Sequence, residues 1–234
     1  MVAVIDNRMP CSAKARLKEI CEIIELPPFS VLDTRVASHP DMLIFVLDGK
    51  LFVCKQYYNE AKESIDKIIQ ATDLELMLTN DLLGAQYPND VRFNAFIING
   101  AMIGNTTNIS QEIRDYASGI GIVQASVKQG YAKCSTVVLD GAVISADNGI
   151  CKAAQDLGAK ALSVSAGGVA LDGYDCGFIG GASGVCGKQV VFCGDVTKHK
   201  DFESISAFCA AHGYEVISLS DEPLYDVGTI MFFE

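Results

Sequence analysis

The segment that decides the fold is residues 130–145, which read GYAKCSTVVLDGAVIS. A polar opening leads into an apolar run, an Asp-Gly pair follows, and a second apolar run closes the segment. Two apolar runs separated by Asp-Gly are typical of a β-hairpin, because Asp and Gly accept the positive φ that a tight hairpin turn needs. The segment therefore predicts a hairpin that turns at Asp140 and Gly141.

The same pattern recurs along the chain. Four further copies, the last one truncated, are found at residues 39–53, 94–104, 174–192 and 225–233. The glycines assigned to the turns are Gly49, Gly100, Gly141 and Gly184. They lie roughly 40 to 50 residues apart, a spacing that indicates one structural unit per copy.

Between the hairpins, the sequence predicts an amphipathic helix and then a strand. Apolar residues recur at helical spacing on one face of each helix, so each helix should cover the outside of a core. The predicted helices span residues 12–24, 59–70, 108–118, 148–157 and 201–211. The predicted strands after them span residues 23–26, 74–78, 121–125, 161–164 and 215–219.

The repeats predict an α/β chain of five strand-helix-strand-strand units. Residues 229–233 are expected to pair beside residues 2–5, which would close the sheet system and remove exposed strand edges. We therefore expect a single domain over residues 1–234, folded as a five-fold pseudosymmetric α/β propeller. An open doubly wound sheet is the competing interpretation.

Composition limits the classes of function. The net charge is −11 and the pI about 4.7, which disfavours binding to nucleic acid. No apolar stretch approaches the length of a membrane span, and the first residues turn polar too early for a signal peptide. Nine cysteines without paired spacing predict a reduced, cytoplasmic protein, and three distant histidines argue against a metal site. No cofactor is expected, and the oligomeric state is left open.

Five such units in a ring resemble the pentein superfamily of arginine and agmatine deiminases, dimethylarginine hydrolases, amidinotransferases and a ribosomal anti-association factor. The segment His39-Pro40-Asp41 resembles the His-x-Asp motif of the deiminases. The segment that contains Cys134, YAKCST, resembles their nucleophilic cysteine segment. The chain also resembles a group of uncharacterised bacterial proteins of this fold, through GYAKCS, GFIGGASG and DVGTI. Superfamily enzymes place the cysteine in the final repeat, whereas Cys134 lies in the third.

The resemblance implies a hydrolase or amidinotransferase that acts on a guanidine-type small molecule, a cationic ligand. The thiolate of Cys134 or Cys176 would attack the guanidinium carbon, and His39 would transfer protons. Lys133 next to the thiol would lower its pKa. The implied substrate-binding residues are Asp41, Lys133, Asp175, Asp226 and Asn94.

Several alternatives remain open from the residues alone. Because neighbouring strand residues face opposite sides, a shift of one residue would exchange Lys133 for Cys134 at the axis. In the alternative interpretation, Cys134 or Cys176 is a buried apolar filler, His39 is a loop cap, and the aspartates cap turns. Residues 180–189 only partly match a phosphate loop, although their amides could bind a small anion. The alternative function is a non-catalytic binding protein, either a ligand sensor or a relative of the ribosomal factor.

Overall fold

Five three-stranded sheets, one for each predicted repeat, contain most of the strands in the computed structural model, which describes residues 1–233. The helices are α1 (Cys11–Leu17), α2 (Pro40–Leu43), α3 (Lys55–Ala71), α4 (Gln111–Gly119), α5 (Asn148–Asp156) and α6 (Phe202–Ala211), with a short 3-10 helix at Val196–Lys198. The strands are β1 (Val2–Asp6), β2 (Glu22–Leu26), β3 (Ile44–Leu47), β4 (Lys50–Cys54), β5 (Glu75–Thr79), β6 (Phe96–Ile98), β7 (Ala101–Gly104), β8 (Val123–Ser126), β9 (Thr136–Leu139), β10 (Ala142–Ser145), β11 (Lys160–Ser163), β12 (Val169–Ala170), β13 (Ser183–Cys186), β14 (Gln189–Phe192), β15 (Glu215–Ser218), β16 (Leu224–Tyr225) and β17 (Met231–Phe233).

The same strand order is found in each of the five sheets. A hairpin pairs its two strands antiparallel, and the second of them pairs parallel with the strand that follows the helix. These sheets have the orders β3-β4-β5, β6-β7-β8, β9-β10-β11, β13-β14-β15 and β17-β1-β2. In the last sheet the two ends of the chain meet, because β1 pairs antiparallel with β17, with Val4 opposite Met231. The predicted pairing of the first and last strands is confirmed.

The architecture is therefore a mixed α/β fold built from a repeated unit. Within residues 1–233 no β-ladder joins one of the five sheets to the next, so hydrogen bonding between strands does not by itself close a ring. Neighbouring sheets lie side by side, as where β13 lies beside both β9 and β17, and isolated backbone hydrogen bonds such as that from the Ile230 N–H to the Ser183 carbonyl at 2.9 Å join them. No helix in the described part of the chain is both long and apolar enough to cross a bilayer.

The predicted turn chemistry is confirmed at the hairpins. Asp48 and Gly49 have φ of 50° and 70°, and Asn99 and Gly100 have φ of 48° and 73°. Two successive positive φ values define a type I′ turn, whose twist matches that of the flanking strands. Gly141 has φ of 66°, but Asp140 before it is not at positive φ, so this two-residue turn is not of type I′.

The fourth repeat turns at a different glycine from the one predicted. Gly184 lies inside β13 opposite Val191, and the turn is made at Gly187, whose φ is 53°. A Cβ at Gly184 would lie 2.2 Å from the carbonyl oxygen of Ile230. The glycine therefore allows β13 and the segment before β17 to approach closely, which is a packing requirement that mimics a turn signal in the sequence.

The first predicted helix is too long. Helix α1 ends at Leu17, and Glu22–Leu26 forms the parallel strand β2 beside β1. Ile24 and Leu26 are buried on one face of β2, which is the alternation of a strand. Ile24 also fits the helical spacing of the preceding apolar residues, so the helix was predicted to extend too far.

We expect Gly100→Ala to lower the free energy of unfolding by about 1–2 kcal/mol, because an L-residue with a Cβ is strained at positive φ. Gly119→Ala is the matched control, since Gly119 is exposed at the end of α4 and lies outside the positive-φ region. Both sites have open space for a Cβ, so the comparison isolates backbone strain. Urea denaturation in which Gly119→Ala is the more damaging change would contradict the turn assignment.

Candidate functional site

The first strands of the four hairpins and β17, here called the cavity strands, line one common cavity. Its volume is about 370 Å³. Its lining comes from all five sheets and includes Ile44–Val46, Ala95–Ile97, Val137, Val138, Ser183–Val185 and Ile230–Phe233. Phe93, Asp41, Lys133 and Thr229 complete the lining at the end where the cavity strands begin.

A buried polar cluster, made of Asp41, Asn94, Cys134 and Thr229 with the half-buried Lys133, lies at this end. Asp41 is the second residue of the short helix α2, in which Pro40 fixes the first helical position, and its N–H donates to the Gly228 carbonyl at 3.0 Å. The sequence predicts that these residues open the strands directly. The structure instead places each of them in a turn or loop just before its cavity strand.

The sequence left open whether Lys133 or Cys134 faces the axis, and in the structure Lys133 lines the cavity whereas Cys134 does not. Residues 131–135 form a turn in which Ser135 N–H donates to the Tyr131 carbonyl at 2.9 Å and Thr136 N–H donates to the Lys133 carbonyl at 3.0 Å. Strand alternation does not apply inside such a turn, and both side chains reach the same cluster.

The thiol of Cys134 is held between a carboxylate and a carboxamide. Cys134 Sγ donates to Asp41 Oδ2 at 2.9 Å, and Asn94 Nδ2 donates to Cys134 Sγ at 3.1 Å. Asn94 Nδ2 also lies 3.2 Å from the Asp41 carbonyl oxygen. Asn94 Oδ1 accepts from the backbone N–H groups of Lys133 at 2.8 Å and Cys134 at 3.2 Å. The carboxamide thus fixes both the turn and the thiol.

Thr229 is the functional candidate that sequence reasoning missed. Its φ is 72°, a strained conformation for a β-branched residue. Its hydroxyl donates to Asp41 Oδ2 at 2.8 Å, and its backbone N–H donates to the Gly181 carbonyl at 2.9 Å. The available signal was a β-branched residue directly after Gly228 in the last repeat.

Burial governs the ionisation of the cluster. It raises the pKa of Asp41, raises the pKa of Cys134 well above its usual value, and lowers the pKa of Lys133. The carboxylates of Asp41 and Asp226 raise the pKa of the Cys134 thiol further. We had expected Lys133 to lower that pKa, but burial and the two carboxylates determine its direction. The resting thiol is therefore protonated and acts as a hydrogen-bond donor.

His39 lies among carboxylates. Its Nε2 is 3.6 Å from Asp6 Oδ2, and its Nδ1 is 3.9 Å from Asp226 Oδ1. Burial lowers the pKa of His39 despite these neighbours. In the described part of the chain the hydrogen-bond partners of the Cys134 thiol are Asp41 and Asn94, so His39 does not form the predicted direct pair with it.

Asp226 joins the His39 side of the site to the glycine-rich segment. Its carboxylate accepts from the N–H groups of Phe178 at 2.8 Å and Gly228 at 2.9 Å. Burial raises the pKa of Asp226 to about 6. A Cβ at Gly181 would lie 2.0 Å from Asp226 Oδ1, so this glycine is required by close packing.

The Gly181 amide, considered as an anion-binding group in the sequence, is already occupied. It donates to the Cys134 carbonyl at 2.7 Å. Two other predicted residues lie in the loop after β12, where Asp175 is exposed and Cys176 is half-buried. Neither has a described hydrogen bond to the Cys134 cluster. No group of three or more Cys, His, Asp or Glu side chains in residues 1–233 is arranged to hold a metal ion.

We expect Asp226→Asn to change how stability depends on pH. A carboxyl whose pKa is raised by folding stabilises the protein below its unfolded pKa, and this stabilisation is lost as the pH rises through about 6. The free energy of unfolding of Asp226→Asn, relative to the parent protein, should therefore rise by about 2 kcal/mol between pH 4.5 and 7.5. Urea denaturation across this range measures it, with the exposed Asp73→Asn as control. A pH-independent difference, or a falling one, would contradict the buried placement.

Comparisons with solved structures show similar folds. A Cys-to-Ser variant of DDAH from Pseudomonas aeruginosa in complex with citrulline aligns with a TM-score of 0.57 and 11% identity, over 94% of this chain and 92% of that one. Agmatine deiminase from C. jejuni, with substrate bound, gives 0.55 and 11%, over 94% and 87%. An amidinotransferase from Microseira wollei gives 0.54 and 11%, over 92% and 76%. The predicted resemblance to the pentein superfamily is confirmed at the level of the fold.

Sequence comparison gives the family. No curated protein matches the chain significantly. Residues 4–231 match the model of DUF6873, a family of unknown function, over nearly the whole length of the chain. The chain therefore belongs to the DUF6873 family.

Proposed function

We propose that this protein is an enzyme that acts on a guanidine-type small molecule through the thiol of Cys134. The observation that carries the proposal is the hydrogen bond of 2.9 Å from Cys134 Sγ to Asp41 Oδ2, at the buried end of a cavity. The fold supports it, because similar folds occur in DDAH bound to citrulline, in agmatine deiminase and in an amidinotransferase.

We also propose that the five sheets surround a common axis as a propeller. The support is the cavity, to which every one of the five sheets contributes its cavity strand. The axis would then pass through the cavity and the Asp41–Cys134 pair, so the repeat that generates the fold would also generate the site.

In the proposed reaction, the Cys134 thiol gives its proton to Asp41, and the thiolate forms a carbon–sulfur bond with the central guanidinium carbon. The carbon–nitrogen bond then breaks, and the departing amine takes up the proton that Asp41 received from the thiol. Asn94 Nδ2, 3.1 Å from Sγ, stabilises the thiolate by donating to it. Water then cleaves the thiouronium adduct, or an acceptor amine does so in a transferase.

The other acidic and basic groups have separate proposed roles. Asp226 balances the charge of the substrate cation through paired hydrogen bonds, while Asp41 holds the proton of the thiol. His39, neutral at pH 7 because burial lowers its pKa, accepts a proton from the attacking water in the second step.

The thiol must stay reduced, so we propose a reducing compartment such as the cytoplasm. The unpaired buried thiols of Cys54, Cys151 and Cys193 are compatible with this.

A second candidate function is non-catalytic ligand binding. It is favoured by the resting state of Cys134, whose side chain is only 3% exposed and whose pKa is raised rather than lowered. A sensor would keep the cluster as a binding site and would not use the thiol as a nucleophile.

The first test is turnover of agmatine, arginine and methylarginines, followed through the ureido product and the released amine. We expect Cys134→Ser to abolish turnover, and Asp41→Asn to lower kcat by about 10²–10⁴-fold because the thiol loses its proton acceptor. Cys176→Ser is the matched cysteine control and should retain activity.

Two outcomes would contradict the assignment. In one, Cys134→Ser keeps full activity. In the other, activity depends on Cys176 and not on Cys134. If these guanidines raise Tm but no product forms, the second candidate function replaces the first.

A further inference from the structure

The cavity has two unlike ends. Asp41, Lys133 and Thr229 lie at one end, where Asp41 and Thr229 are almost fully buried. The cavity strands run from there towards the hairpin turns. Near the turns the lining residues become half-buried and form an apolar ring of Val46, Ile97, Val138, Val185 and Phe232. The cavity therefore opens on the side of the hairpin turns and ends at a charged pair.

The walls between the two ends are apolar. Ile44, Phe93, Phe96 and Val137 are buried side chains along this wall. A cavity of about 370 Å³ is at the small end of the range for ligand sites, which combine apolar walls with a few fixed polar groups.

The closed end has unused hydrogen-bonding capacity. Asp41 Oδ1 is buried without a hydrogen-bond partner, although Oδ2 of the same carboxylate accepts from both Cys134 and Thr229. Among residues 1–233, the hydrogen bonds of Lys133 Nζ are two long ones, each of 3.4 Å, to the Thr136 carbonyl and the Thr229 hydroxyl. An ammonium has three donors, and an unpaired buried carboxylate oxygen is costly. One acceptor and at least one donor are thus left for a ligand.

We propose that this cavity binds an amphipathic molecule with an uncharged amide or urea head and an apolar body, at an end where Asp41 is shared with the reaction proposed above. The head would donate an N–H to Asp41 Oδ1 and accept a hydrogen bond from Lys133 Nζ, while the body fills the apolar walls. A cationic head would be repelled by Lys133, and an anionic head by Asp41. An uncharged head that carries an N–H donor beside a carbonyl acceptor can bind both Asp41 and Lys133.

This site shares Asp41 with the thiol chemistry proposed above, but ligand binding in the cavity does not require that chemistry. Cys134 does not line the cavity, and the entrance lies among the hairpin turns. Binding is measured without turnover, so failure of one proposal leaves the other testable.

The first experiment compares three six-carbon probes, hexanamide, hexanoate and hexylamine, by isothermal titration with the parent protein. Hexanamide should bind about 10-fold or more tightly than either charged probe. The chain contains no Trp, so Val138→Trp both narrows the entrance and adds a single fluorophore there. It should weaken hexanamide binding at least 10-fold and respond to the probe in its emission. Val123→Trp, at a position 60% exposed on β8, should bind as the parent does.

The second experiment changes the charges at the closed end. Asp41→Asn leaves Lys133 uncompensated and should shift the preference towards hexanoate, whereas Lys133→Met should shift it towards hexylamine. Circular dichroism confirms folding, and if either charge variant unfolds, the two tryptophan variants decide alone. The proposal is overturned if hexanamide fails to bind at millimolar concentration, if Val138→Trp binds as well as Val123→Trp, or if folded charge variants keep the parent preference.

Discussion

The buried carboxamide of Asn94 is the contact on which the local structure depends. It reaches the Asp41 carbonyl and the Cys134 thiol with Nδ2, and receives the Lys133 and Cys134 amides with Oδ1. The Asn94 side chain therefore joins its own segment to those of Asp41 and Cys134. Each of these three segments comes just before a cavity strand. A buried amide left without these partners would cost about 1–3 kcal/mol. Such a network can also hold Thr229 at its unfavourable φ.

Burial and the nearby carboxylates of Asp41 and Asp226 raise the pKa of the Cys134 thiol, so its protonated form is favoured before a substrate binds. Burial favours the neutral forms of Asp41, Cys134 and Lys133 alike, and the carboxylates add to the effect on the thiol. A bound guanidinium would compensate Asp41 and Asp226 and lower the pKa of Cys134 again. In the proposed enzyme, the substrate's own charge therefore activates the nucleophile.

The repeat and most element bounds were predictable because they are local. Hairpin turns, capped helices and the strand after each helix follow from short-range patterns, as with Asp147, which caps α5. Sequence reasoning named Asp41, Asn94 and Cys134, which contact one another, but it also named Asp175 and Cys176, which lie elsewhere, and it missed Thr229. The contacts among them were not predictable, because Asp41 and Cys134 are 93 residues apart. Strand alternation did not predict the direction of the Lys133 side chain, because residues 131–135 form a turn and not a strand. Gly184 was assigned to a hairpin turn because a turn and close packing both favour glycine.

The proposed covalent chemistry at Cys134 is tested most directly by mass spectrometry of the protein, quenched in acid during incubation with agmatine, arginine or methylarginines. It predicts an added mass on the peptide that contains Cys134, equal to the substrate minus its departing amine, which disappears on longer incubation. An adduct on another cysteine such as Cys176, or unmodified Cys134 while product accumulates, would contradict it.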